Sequence, residues 1–170
     1  MITPVAPTSP SVSIIMGSNS DWPTMQLAAK ILNGLCVLYE TKIVSAHRTP
    51  SRLDEYLEKV TERGVEIIIA GAGGAAHLAG VVAAKIRLPV IGVPMKTSSL
   101  GGLDSLYSTV QMPKGVPVAT MAIGDAGAIN AGLFAARILA LRDPQLGQRL
   151  TEFIISQANG VPLEPFDLPV

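Results

Sequence analysis

Val65-Glu66-Ile67-Ile68-Ile69-Ala70 runs without a break into Gly71-Ala72-Gly73-Gly74-Ala75-Ala76-His77. The first six residues are almost continuously apolar, the pattern of a strand covered on both faces rather than one exposed to water. The glycine-rich corner stops that strand, and the apolar residues after it predict a helix to about residue 86. A buried strand, a small-residue corner and a helix together form the repeating unit of a parallel sheet.

The same unit recurs on either side. Val12-Ser13-Ile14-Ile15-Met16 reads as a first strand, and Gly17-Ser18-Asn19-Ser20-Asp21 as its corner. A helix follows, capped by Ser20 or Asp21, with Gly34 just past its end. Residues 37–44 predict a second strand. Thr49-Pro50 reads as an N-cap and first helical position, and Gly64 closes that helix. Residues 65–70 are the third strand, 89–93 the fourth and 116–123 the fifth, with a short helix over 105–111. Helices over 125–141 and from Asp143-Pro144 to about residue 158 complete the pattern. The polar loop 94–104 is long enough to suggest a functional lid. Alternating strands and helices imply right-handed crossovers in a single doubly wound α/β sheet of about five parallel strands.

Bulk properties fit one domain. A chain of 170 residues buries roughly 70% of its unfolded surface. It is 48% hydrophobic but 4% aromatic, so aliphatic side chains and alanine must fill the core. Thirteen basic residues balance thirteen acidic ones, which argues against partners such as nucleic acid or a membrane surface. The single cysteine, Cys36, allows no internal disulfide and fits a reducing, cytoplasmic setting. Residues 1–11 hold Pro4, Pro7 and Pro10 but lack the charged and apolar regions of a secretory signal, and read as a flexible arm. The single catalytic domain is expected over 12–158, with an extended tail over 159–170. Residues 116–141 are largely apolar, but Asp125 divides them into pieces well short of the ~20 residues of a membrane span.

Three polar corners follow predicted strands and therefore converge on one sheet edge, where ligands of such sheets bind. Ile43-Val44-Ser45-Ala46-His47-Arg48-Thr49-Pro50 carries the chemistry. An imidazole suits proton transfer at neutral pH, and a guanidinium offers a planar fork of donors to phosphate or carboxylate. Gly17-Ser18-Asn19-Ser20-Asp21 offers hydroxyls and backbone N–H groups at a helix start, a workable phosphate cradle. It is no Walker motif, and the corner at Gly71 lacks the acidic partner of a dinucleotide fingerprint. No Gly-x-Ser-x-Gly elbow is present, and this edge supplies too few ligands for an evident metal site. His77 reads as a second acid/base, a donor to the ligand or a helix-start histidine.

These corners, with Leu78, Ser108-Thr109-Val110-Gln111-Met112-Pro113, Gly115-Val116-Pro117-Val118-Ala119-Thr120 and Ala126-Gly127-Ala128-Ile129-Asn130-Ala131, resemble the class I PurE family. Members of that family are N5-carboxyaminoimidazole ribonucleotide mutases of purine biosynthesis. The motifs keep the family's order from about residue 12 to 150. The resemblance implies a flavodoxin-like three-layer sandwich, a homo-octamer, and no metal, ATP or organic cofactor. It implies that Ser18, Ser45 and Arg48 hold the phosphate and that Asp21 accepts from the ribose hydroxyls. Gly73, Gly74 and Ala75 would present backbone to the migrating carboxylate, with His77 and Leu78 beside them, and His47 would shuttle the proton. The chain departs from the family at Leu78-Ala79-Gly80, where Leu-Pro-Gly is usual. Gly132 stands where alanine is expected, and costs its helix roughly 0.5–1 kcal/mol unless close packing requires it.

Other readings compete. The direct carboxylase branch of the same family typically has lysine after the histidine, where this chain has Arg48. A non-catalytic nucleotide or flavin mononucleotide binder would need aromatics that are scarce here. A structural oligomerisation module would leave Ser18, Asp21, His47 and Arg48 converging without purpose.

Overall fold

The computed structural model describes residues 9–165. Most of the arm expected at the amino end, and the last five residues of the expected tail, lie outside the described residues. Ser11, assigned to that arm, is already tied to the sheet: its N–H donates to Leu38 O and its carbonyl accepts from Glu66 N.

Five parallel strands form the sheet: β1 Val12–Met16, β2 Tyr39–Ile43, β3 Ile67–Ala72, β4 Val90–Pro94 and β5 Ala119–Thr120. Their order is β2-β1-β3-β4-β5, the flavodoxin-like arrangement with its switch point between β1 and β3. The helices are α1 Trp22–Gly34, α2 Pro50–Glu58, α3 Leu78–Lys85, α4 Leu103–Val110, α5 Asp125–Ala140 and α6 Pro144–Asn159. The period-2 alternation of the strands divides the core into two layers. Val12, Ile14, Met16, Ile67 and Ile69 pack on α1, α5 and α6. Ile15, Ile68 and Ala70 face α2 and α3.

One polar chain crosses the second layer. The hydroxyls of Ser13 and Tyr56 are hydrogen bonded, and Tyr56 Oη donates to Glu40 Oε1 at 2.6 Å. Arg63 donates to both carboxylate oxygens of Glu40, at 2.9 and 3.2 Å. Burial alone would raise the Glu40 carboxyl, but the bonds from Arg63 and Tyr56 outweigh it and hold it below its ordinary value. The network ties β1, β2 and α2 together with every buried polar atom partnered.

Several boundaries differ from the sequence expectation for identifiable reasons. Gly34 closes α1 from inside, and the left-handed residue is Cys36, at φ 56°. The second strand starts later than expected, because Val37 N–H is used by Leu32 O at the helix end. The helix after Pro50 stops at Glu58, and turns lead to Gly64 at φ 86°. The fifth strand is only two residues long. Pro117 has no N–H to give to a ladder, and Val116 N–H turns back to Pro113 O.

The glycine at 132 is explained by packing. A Cβ there would stand 2.9 Å from Ala28 O and 3.0 Å from Ile31 Cβ, both on α1. At Gly147, on α6, a Cβ would meet nothing within 4 Å. Gly147→Ala is therefore expected to stabilise the fold by roughly 0.4–1 kcal/mol. Gly132→Ala is expected to destabilise it by on the order of 1–3 kcal/mol, despite the better helix propensity. Denaturant titration of both variants checks the contrast, and a stabilised Gly132→Ala would show that the α1–α5 seam has room to spare.

Candidate active site

The corners after β1, β2, β3 and β4 enclose a cavity of about 410 Å3. Ser18 and Asp21 line it from the first corner, Ser45, His47 and Arg48 from the second, and Gly73, Ala75 and Leu78 from the third. Gly74 and His77 lie outside that lining. The fourth corner adds Met95, Lys96 and Thr97, which the sequence singles out only as part of the 94–104 loop and not as site residues. The topology that selects the first three corners selects the fourth too, because its strand points the same way.

Local hydrogen bonds set each corner. Ser18 Oγ caps a one-turn 3-10 helix, Asn19–Asp21, by accepting from Ser20 N. Asp21 stands at the N-cap of α1 but makes no side-chain cap bond, so its carboxylate is left to face the cavity. Thr49 occupies the N-cap of α2 without capping it through its side chain. Its hydroxyl instead donates to Ser45 O at 3.1 Å and accepts from Ser45 N at 2.9 Å. Ser45 Oγ in turn accepts from Arg48 N at 3.1 Å. This closed loop spends the expected cap on holding the 45–49 turn, and presents His47 and Arg48 from it. Arg48 Nη2 donates to Gly17 O at 2.7 Å, joining the first two corners.

The two histidines of the chain meet. His47 Nε2 and His77 Nδ1 are 3.0 Å apart, with the rings edge to face at 5.1 Å between centroids. His77 stands at the N-cap of α3 without a side-chain cap bond, and its ring is turned onto His47 instead. One facing nitrogen must carry a proton and the other a lone pair. No group of three or more His, Cys, Asp or Glu is placed to hold a metal ion among the described residues.

The matching family model covers residues 11–159 and describes an AIR carboxylase. The chain belongs to the AIR carboxylase family. This AIR carboxylase family member is 62% identical over 143 residues to a Bacillus subtilis protein named N5-carboxyaminoimidazole ribonucleotide mutase, covering 84% of this chain and 88% of the relative. A protein of the same name from Vibrio vulnificus is 58% identical over 154 residues, covering 91% and 96%. The crystal structure of Treponema denticola PurE superposes with a TM-score of 0.81 at 30% identity, covering 88% of this chain and 92% of that one.

Burial pushes the Asp21 carboxyl up from its ordinary value, offset only in part by the Ser18 backbone, the Ser20 hydroxyl and the charge of Arg48. The ionised carboxylate is therefore less favourable in the folded chain than in the unfolded one. That penalty is fully present above the folded pKa and vanishes below the unfolded value near ~3.9. Asp21→Asn is expected to melt at a higher temperature than the parent at neutral pH, with the gain shrinking as the pH falls through the raised pKa. Paired melts across pH check this, and a gain that is constant or grows in acid contradicts it.

Proposed function

We propose that the chain converts N5-carboxyaminoimidazole ribonucleotide to 4-carboxy-5-aminoimidazole ribonucleotide. The site observation that carries this reading is the pairing of His47 with His77 on the same edge as Ser18, Ser45 and Arg48. The names of the relatives supply the substrate. Phosphate held by Ser18, Ser45 and Arg48 anchors the ring at a distance from the reacting carbon. Asp21 accepts from the ribose hydroxyls. The bond between the exocyclic nitrogen and the carboxyl breaks, and the released carbon dioxide stays between the Gly73–Ala75 backbone and the base. Carbon 4 then bonds to it, and His47 takes the carbon 4 proton so that the imidazole regains aromaticity. Nitrogen gains one proton and carbon 4 loses one, so the exchange balances without oxidant, nucleotide or metal.

The reading extends to assembly and place. Leu103, Tyr107 and Val110, spaced along one face of α4, are exposed, as is Phe134 on α5; uncovered faces of this kind support self-association, and the family resemblance sets the number at eight. No described helix is long and apolar enough to cross a membrane, and purine biosynthesis points to the cytoplasm. Light scattering is expected to give eight times the chain mass; a monomer at micromolar concentration contradicts it.

An ultraviolet assay tests the reaction. The two carboxylated ribonucleotides are expected to interconvert without ATP. Turnover seen only with the decarboxylated ribonucleotide and free carbon dioxide would instead identify a direct carboxylase. The site roles separate by mutation. Arg48→Met is expected to weaken ribonucleotide binding by on the order of 1.5–3 kcal/mol, the worth of a charge-assisted contact. His47→Asn is expected to bind with near-parental affinity yet turn over at least ~10²-fold more slowly, because it cannot carry the proton. Calorimetric affinity beside steady-state rate decides. Substantial turnover in His47→Asn, with loss in His77→Asn, would move the shuttle to the other ring.

A further inference from the structure

Gly74 is the middle residue of the corner that lines the cavity, yet its own polar groups are used elsewhere. Its backbone is left-handed, at φ +68°. Its N–H donates to Ser105 Oγ at 2.9 Å, and its carbonyl accepts from Ala76 N at 2.8 Å. The carbonyl also lies 3.2 Å from Ser108 Oγ, whose proton is shared with Asp104 O at 2.6 Å. Ser105 is fully buried, one of few polar side chains that are, so its hydroxyl has little else to do than accept from Gly74. On either side, Gly73 and Ala75 line the cavity, and no backbone acceptor among the described residues takes their N–H groups.

We propose that Ser105, on α4, is a positioning residue for the carboxylate end of the substrate. By taking the Gly74 N–H it fixes the orientation of that peptide, which leaves the N–H groups of Gly73 and Ala75 as the donors facing a carboxylate or released carbon dioxide. Gly74 thus acts as a pivot rather than as a donor to the ligand. Ser108 supports the next peptide through the Gly74 carbonyl, more weakly because its proton is divided. The fourth sheet corner holds the other side: Gly73 packs against Met95, whose Cβ would be 3.2 Å from an added methyl. Thr97 Oγ1 donates to Asp104 at the start of α4 and accepts from Gly102 N, at 2.8 and 3.1 Å. Helix α4 and the loop before it therefore form the frame on which the carboxylate corner hangs.

This inference rests on the mutase reading, and one set of measurements separates the two. Calorimetry with purified Ser105→Ala would use two probes, 5-aminoimidazole ribonucleotide and its 4-carboxylated form. The decarboxylated probe should bind within about twofold of the parent, since the phosphate and ribose contacts are remote and independent. The carboxylated probe should bind ~10-fold or more weakly, the scale of misplaced hydrogen bonds to a charged group. The turnover number should fall with it, and Ser105→Thr, which keeps the acceptor oxygen, should recover both. Equal weakening of the two probes would mark general damage and overturn the assignment, as would a carboxylated probe bound as tightly as by the parent. If the parent protein itself fails to interconvert the carboxylated ribonucleotides, the mutase reading falls, an outcome that no Ser105 variant can mimic.

Discussion

The candidate site depends on the register of β1. Its last residue, Met16, stands opposite Ile43 of β2 on one side and Gly71 of β3 on the other. Three chains therefore leave the sheet at nearly the same height, and their polar corners must meet. A slip of one residue would turn every β1 side chain to the wrong face, putting Ser13 into the layer packed on α1 and α5 and its apolar neighbours onto Tyr56. The two buried layers and the Ser13–Tyr56–Glu40–Arg63 network thus hold the register from both faces.

Much of this is legible in the sequence. Runs of β-branched residues ending in glycine located the central strands, because strands covered on both faces leave little choice of residue. The edges were harder to read. Val116 and Val118 look like strand on composition, yet Pro117 and the turn at Gly115 keep them from pairing. Thr49 followed by proline reads as a cap, but a hydroxyl that can bond its own turn does so when the turn is tighter than the helix start. Such competition between local partners is invisible in a string of residue types.

The site shows the same division. His47 and Arg48 stand out because an imidazole suits proton transfer and a guanidinium suits an anion, and the corner they occupy follows a strand. Ser105 does not, because its service is to a backbone group thirty-one residues away, and serine on a helix carries no distinguishing pattern. Asp21 enters the site only through the family resemblance, whereas its burial, and the cost of keeping it ionised there, emerge only from the packing. A carboxylate held at a cost to folding is common where binding rather than stability sets the requirement.

The contact between the two imidazoles changes how protons in the site must be counted. With both rings neutral there are two N–H groups among four nitrogens, and a hydrogen bond places one of those protons between His47 Nε2 and His77 Nδ1. If His47 supplies it, the outer nitrogen of His47 is a free base; if His77 supplies it, that outer nitrogen bears a proton and the free base is the far nitrogen of His77. The pair therefore has two tautomers of equal charge that expose opposite groups, and they interchange when a proton enters at one end and leaves at the other. Donor and acceptor at the outer nitrogens are then two settings of one hydrogen-bonded unit, rather than properties of separate rings.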